Sequence, residues 1–224
     1  MRISVVLAIL ALWTAVYLNS CNLVLASESN PWQSQIHPAH PLYFLKSVRE
    51  ILEIKSAGTD SIKVLRYLEF STRRIREVNS LASKNSPDLI PPTLEKYWLN
   101  FTKLNSFINV TDKNFMNLIS DSLNQHINVL ENVYNQTESK RAKMAIRLTM
   151  NRISEENKLL LDKLNQATKG NSKLGLEEEV RKINLNQVLV CNLLVSVASE
   201  SALNDVERIV LAERANKCQQ SLLN

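Results

Sequence analysis

Glycine and proline are scarce in this sequence. The chain has 224 residues but only 3 glycines and 6 prolines. A fold of many short strands needs glycine and proline in its turns, so that class of fold is disfavoured. The glycine-rich loops that bind nucleotide phosphates are also excluded, because neither Gly-x-x-x-x-Gly-Lys nor Gly-x-Gly-x-x-Gly occurs. Long helices with few breaks are the expected structure.

Recognisable catalytic and metal-binding motifs are absent as well. There is no Gly-x-Ser-x-Gly, no Ser-x-x-Lys with its partner motifs, no Cys-x-x-Cys and no His-Glu-x-x-His. The sequence has 3 histidines, of which His37 and His40 are close enough to meet one metal ion. A zinc site needs three or four ligands, so we predict no metal, no cofactor and no enzymatic activity.

The first 26 residues have the form of a targeting segment. Arg2 precedes an apolar run from Ile3 to Leu18, which is short of the roughly 20 residues of a membrane span. Three fates stay open: cleavage after Ala26, lipidation of Cys21 as in a lipoprotein, or an uncleaved anchor. Each predicts an exported protein, either secreted or membrane-anchored.

Nearly everything after a polar linker at residues 27–40 reads as amphipathic helix. We predict a helical domain over 41–168 and a C-terminal helical hairpin over 171–224, packed on the same bundle. Residues 86–92 are predicted to be a loop, and the third helix to begin near Thr93. The fold prediction is all-α: a bundle of about six or seven amphipathic helices after an N-terminal signal segment.

Cys191 and Cys218 are the cysteines that remain if the targeting segment is removed. Both lie among apolar residues at helical spacing, so two interpretations stay open: a disulfide, or two buried free thiols. In a helical hairpin the pair is level only if the turn falls near Asn204-Asp205. A turn at residues 199–201 would leave the two cysteines about 13 Å out of step.

The charge pattern indicates a mixed, solvated surface. The net charge is +5, and acidic residues are interspersed with the basic ones; export makes nucleic acid an improbable partner. Arg73 and Arg74, together with Glu77, are predicted to lie on a salt-bridged helix face; an anion or lipid-headgroup site is the alternative. His126 is predicted to be hydrogen-bonded at a helix packing edge.

The first helix is expected to begin at Pro41. Leu42, Leu45, Val48 and Leu52 form an apolar stripe. Leu42 and Tyr43 are predicted to pack the first turn against the core; a ligand contact by Tyr43 is the alternative.

Three stretches resemble a family of exported bacterial proteins, domain of unknown function 5667. His40-Pro41-Leu42-Tyr43-Phe44-Leu45-Lys46 resembles the family's Ser-Pro-Leu-Tyr-x-Leu-Lys entry motif, with His40 in place of serine. Residues 68–78 are similar to its Leu-x-x-Ala-x-x-Arg-Leu-x-Glu-Ala stretch, with Ser71 in place of alanine, and residues 126–131 to a His-x-x-x-Leu-Glu segment. The resemblance covers residues 38–165 and implies a helical, exported bacterial envelope protein without an assigned activity.

We therefore expect a non-enzymatic envelope protein that works through helix-face contacts with a protein partner, with itself or with a membrane surface. An apolar stripe left exposed after folding would be its structural mark. The alternative is a helical bundle that binds a small ligand or a metal, with His126, Tyr97 or Trp98 lining a cavity. A third hypothesis, an enzyme of unrecognised type, requires a buried titratable group in a pocket.

Overall fold

The computed structural model describes residues 40–108, 112–170, 176–200 and 203–220, and within them it contains seven α-helices and no strand. The all-α prediction is confirmed. The targeting segment, Cys21 and His37 lie outside the described residues. The helices are α1 (Tyr43–Lys55), α2 (Asp60–Ser83), α3 (Ile90–Phe107), α4 (Lys113–Gln136), α5 (Lys140–Gly170), α6 (Glu177–Ala198) and α7 (Asp205–Gln220).

Short polar residues begin two of the helices. The Thr59 hydroxyl accepts a hydrogen bond from the backbone N–H of Ile62 at 3.3 Å. The Asp112 carboxylate accepts from the N–H groups of Asn114 at 3.1 Å and Phe115 at 3.3 Å. These bonds satisfy amide donors that have no partner inside the helix.

The start of α3 corrects the predicted loop at residues 86–92. A 3₁₀ turn occupies Pro87–Leu89, and α3 begins at Ile90 with Pro91 and Pro92 in its first turn. Proline lacks only an N–H group that would be unpaired at a helix start, and its φ angle is already helical. The prolines therefore begin the helix instead of preceding it.

Four helices form the centre of the molecule. α2 packs on α3, α3 on α5, α5 on α4 and α4 on α2, so these contacts close a ring around a common core. α6 packs on α4 and α5, α7 packs on α6, and α1 packs on the outside of α2. Fully buried core side chains come from each helix of the ring: Phe70, Val78, Leu94, Phe101, Leu123, Ile127, Ile146 and Met150.

The polar residues of α6 set its position on the ring. The Asn186 amide donates to the backbone carbonyl of Ser120 at 2.8 Å and accepts from Asn124 at 3.1 Å. Gln187 donates to the Ser154 hydroxyl at 2.9 Å. Because a register shift would leave these buried groups unpaired, they specify how α6 meets α4 and α5.

Burial of α6 is less complete than its composition suggests. Apolar residues run almost all round the helix, which predicts burial on several sides, yet Leu185, Val188, Leu189 and Val195 remain exposed on one side. Among the described helices, none combines the length and the apolar character needed to cross a membrane.

Candidate functional site

α1 packs against the bundle with its polar side inward. Tyr43 is its one buried residue, and Lys46, Glu50 and Glu53 are largely covered. These residues recur every three or four positions, so they share one side of the helix. An amphipathic helix on a globular protein normally does the reverse and buries its apolar side.

An ion cluster holds this polar side on α2. We define the ion cluster as Tyr43, Lys46, Glu50, Arg74 and Glu77. Glu77 accepts a hydrogen bond from the Tyr43 hydroxyl at 3.1 Å, two from the Arg74 guanidinium at 2.7 and 2.9 Å, and one from the Lys46 ammonium. Arg74 also donates to Glu50 and to the Tyr43 oxygen. Two cations therefore meet two carboxylates around one phenol.

Burial dominates the electrostatics of the ion cluster. The Arg74 side chain is 2% exposed. Burial raises the pKa of Glu50, and the nearby Arg74 and Arg73 oppose that rise. Burial likewise raises the pKa of the Tyr43 hydroxyl, which therefore remains a neutral hydrogen-bond donor. Each charge is compensated inside the cluster, so the arrangement suits a fixed structural contact.

Two further basic residues border the ion cluster. The Lys96 ammonium of α3 lies 4.1 Å from the centroid of the Tyr43 ring. Burial and the charge of Arg74 lower the pKa of Lys96. Arg73 pairs with Glu69 on its own helix and lies 3.9 Å from Glu50.

Four of the predicted motif residues meet in the ion cluster, although the motifs are about thirty residues apart. Arg73 and Arg74 form salt bridges with Glu69 and Glu77, as a salt-bridged helix face predicts, but both arginines are buried, so the predicted position on a solvated surface is wrong. Sequence reasoning missed Glu50. The available signal was its spacing: Glu50 follows Lys46 by four residues, so it lies on the same side of α1 as Lys46 and Tyr43.

The start of α1 also corrects the predicted packing of Leu42. Pro41 and Leu42 form a turn, in which the Leu42 N–H donates to the His40 ring at 3.1 Å, and the helix begins at Tyr43. Leu42 and Leu45 point to solvent and do not reach the core. The ion cluster occupies the side of the helix that they were expected to share with Tyr43.

The opposite side of α1 is apolar and open. We define the apolar face of α1 as Phe44, Leu45, Val48, Ile51 and Leu52. Each of these side chains is between 47% and 60% exposed. The only other exposed residues within α1 are Arg49 and Lys55. A contiguous apolar stripe of this kind marks an interaction surface.

His126 connects three helices at the centre of the molecule. It is 1% exposed, so the predicted packing-edge position is wrong, although its hydrogen bonding is as expected. The Thr72 hydroxyl of α2 donates to the Leu68 carbonyl at 3.0 Å and lies 3.0 Å from His126 Nε2. Because the Thr72 hydroxyl uses its only proton in the bond to Leu68, the proton between Thr72 and His126 belongs to Nε2, which donates to the Thr72 oxygen. Nδ1 then accepts from the Tyr97 hydroxyl of α3 at 3.4 Å.

The environment of His126 favours the neutral ring. Burial lowers the pKa of His126 to about 3, and the charge of Arg76 adds to the effect. Tyr97 contacts the ring edge-on, with 5.5 Å between centroids. Trp98 instead packs beside Phe101 and under Arg152. The site is a packed contact between side chains. Neither the His126 ring nor the Tyr97 ring faces solvent, so neither is available to a ligand.

Cys191 and Cys218 form a disulfide between α6 and α7, with their Cα atoms 5.4 Å apart. The connection between the helices spans residues 199–204, so it includes the turn position at residues 199–201 considered from the sequence and ends at the other, near Asn204-Asp205. An open cleft of about 330 Å³ lies beside the bridge and is lined in part by Lys158 and Arg214. Ser154 lies 3.0 Å from the Cys218 sulfur at its base.

Within the part of the chain that the structure describes, no three histidine, cysteine, aspartate or glutamate side chains come together as a metal site. Residues 35–140 match the family model described as domain of unknown function (DUF5667), so the match ends before the predicted limit at residue 165. No curated protein and no solved structure shows significant similarity to the chain. The matched segment contains the whole ion cluster, the apolar face of α1 and His126.

Proposed function

We propose that the chain, whose residues 35–140 match the family model of domain of unknown function (DUF5667), is an exported, non-enzymatic helical protein that works through the apolar face of α1. The observation that carries the proposal is the orientation of α1. Five adjacent apolar side chains face outward while charged side chains are buried beneath them.

Stability alone does not explain this orientation. Exposed apolar surface forgoes about 25 cal/mol for each Å² that could be buried. A buried ion pair contributes little net stability, because removing its charges from water offsets most of their attraction. A helix selected only for stability would therefore face the other way. The ion cluster instead fixes α1 so that its apolar face stays available to something outside the bundle.

The other described sites support a structural role. The Thr72–His126–Tyr97 contact is closed and holds α2, α3 and α4 together. At the cleft, Lys217 pairs with Glu213, and Asn151 donates to Glu155. These two lining residues are therefore engaged in contacts within the chain, which favours packing over catalysis.

Site-directed photo-crosslinking tests the proposal in cells. A benzophenone amino acid replaces Leu45 in the apolar face of α1, and Leu159 on α5 is the control because it is also about half exposed. We expect an adduct to protein or lipid at position 45 that is absent at position 159. Equal adduct yields at the two positions would contradict the proposed contact surface.

Intact mass of the chain recovered from its native cell fraction tests export. A mass that begins at Ser27, or at an acylated Cys21, supports processing during export. Recovery of a chain that retains Met1 in the cytoplasmic fraction would contradict export.

A further inference from the structure

We infer that the apolar face of α1 binds an anionic lipid surface. This inference rests on the proposed function and names the partner of that same face. Three observations carry it: the width of the face, the sign of its exposed charges and its place in the chain.

The apolar face of α1 has the dimensions of a helix that lies flat in a membrane interface. At 100° per residue, the arc from Ile51 through Val48 to Leu45 covers about 120° of the helix. Tyr43–Lys55 comprises 13 residues, which corresponds to about 20 Å of length. Interfacial helices bury such a face about 5–10 Å deep and carry Lys and Arg on the polar face. In α1, Arg49 lies about 40° outside the apolar arc, and Lys55 lies within the arc as the last residue of the helix.

The exposed charges of α1 are all positive. Arg49 and Lys55 are its exposed charged residues. The acidic residues are turned away or paired: Glu50 binds Arg74 beneath the helix, and Glu53 accepts from Arg49 at 2.6 Å. A surface of anionic lipid headgroups complements this pattern, and each basic residue near such a surface strengthens binding.

A second copy of the chain fits the same face poorly. The face comprises five side chains that are each about half exposed, whereas a stable dimer buries about 800 Å² and roughly 20–30 residues on each partner. Pairing two copies would also bring Lys55 near its counterpart, without an exposed acidic residue on α1 to offset it, whereas Arg49 is already paired with Glu53. Area and charge therefore favour lipid over self-association.

The position of α1 in the sequence points the same way. The apolar run Ile3–Leu18 precedes it and would bring the chain to a membrane during export. Residues 19–42 connect the run to α1 in the sequence. A retained anchor or a lipidated Cys21 would raise the local concentration of lipid at α1.

A fluorophore placed within the apolar face of α1 tests lipid contact directly. The full chain carries Cys21→Ser. Because Cys191 and Cys218 are joined in a disulfide, an introduced cysteine is then the only free thiol. Val48→Cys is labelled with nitrobenzoxadiazole, and Met144→Cys on α5 is the exposed control. A label at position 48 reports local insertion even if the Ile3–Leu18 run also binds the vesicle.

Vesicles of phosphatidylcholine alone and of phosphatidylcholine with phosphatidylglycerol in equal parts are the probes. We expect a blue shift and a gain of emission at position 48, but not at position 144, with the anionic vesicles. Binding should weaken at least tenfold without phosphatidylglycerol. Lys55→Gln should weaken it about fivefold, the factor expected for one basic residue. Circular dichroism confirms that each variant is folded.

Three outcomes would overturn the inference. One is no change at position 48 with either vesicle, and another is an equal change with both vesicles. The third is a change that depends on protein concentration without lipid, which would indicate a second copy. If the benzophenone at position 45 crosslinks to a protein while the label at position 48 does not respond to vesicles, the proposed function stands and only the lipid assignment fails. If both experiments are negative, both proposals fail.

Discussion

Acidification below pH 6.5 should destabilise the fold through His126. The pKa of His126 is about 3 in the folded chain, against 6.5 for an ordinary histidine. The unfolded state therefore takes up a proton at a pH where the folded state does not. The stability that this difference provides is fully present above pH 6.5 and is lost progressively as the pH falls towards 3. Geometry gives the cause: protonation would place a hydrogen on Nδ1, where the Tyr97 hydroxyl donates.

The expected loss follows from one proton per molecule. Each pH unit below 6.5 costs about 1.4 kcal/mol, so the free energy of unfolding should fall by about 2 kcal/mol between pH 7 and pH 5 from this residue alone. Glu50 acts in the opposite direction, because its raised pKa gives stability that is present at low pH and lost as the pH rises through the folded value. Comparing the wild type with a His126 variant cancels the contribution of Glu50, because both proteins retain that residue.

Urea denaturation of the wild type and His126→Gln at pH 7, 6 and 5 makes the comparison. The variant should be less stable at pH 7, because glutamine replaces only part of the imidazole contact, by about 1–3 kcal/mol. Its stability should depend less steeply on pH, so that the gap between the two proteins narrows by about 2 kcal/mol at pH 5. Parallel pH curves, or a His126 ring that titrates near pH 6.5 by NMR, would refute the reasoning.

Three other changes test the remaining structural arguments. Arg74→Ala should lower the free energy of unfolding by about 3–5 kcal/mol and speed amide exchange in α1, because it leaves buried carboxylates without their shared cation. The control is Arg76→Ala at an exposed position, which should lower the free energy of unfolding by less than about 0.5 kcal/mol. Similar losses in the two variants would argue against the ion cluster. Reduction of Cys191–Cys218 should cost about 3–4 kcal/mol from the entropy of the closed loop, measured by denaturation with and without reductant, and an unchanged midpoint would contradict this. Asp112→Ala should cost about 1 kcal/mol through loss of the helix cap, and a thermal midpoint equal to that of the wild type would contradict that role.

Most helix positions could be predicted from the sequence, because apolar spacing and capping residues determine them locally. Apolar spacing located the helices, and Thr59 and Asp112 begin two of them as short polar caps do. The exception was α3, where Pro91 and Pro92 suggested a loop. Proline is compatible with a first turn and incompatible with later ones, so the residue alone did not indicate which position it held.

The candidate site was only partly predictable, because spacing shows which residues share a side of a helix but not which side faces inward. Tyr43, Lys46, Arg74 and Glu77 were identified as motif residues, yet their meeting depends on how α1 packs on α2. The usual assumption that apolar sides face the core placed Leu45 wrongly. Contacts between distant segments, such as Glu50 with Arg74, leave no local signature.

The disulfide between α6 and α7 has a consequence for a chain exposed to proteases. A cut within residues 199–204 would separate α7 from the rest of the backbone, but Cys191–Cys218 would keep the two fragments covalently joined. Ala215 and Leu211 would stay seated against the core. A nicked molecule would thus keep its mass, apart from one added water, and its shape until a reductant released the final helix.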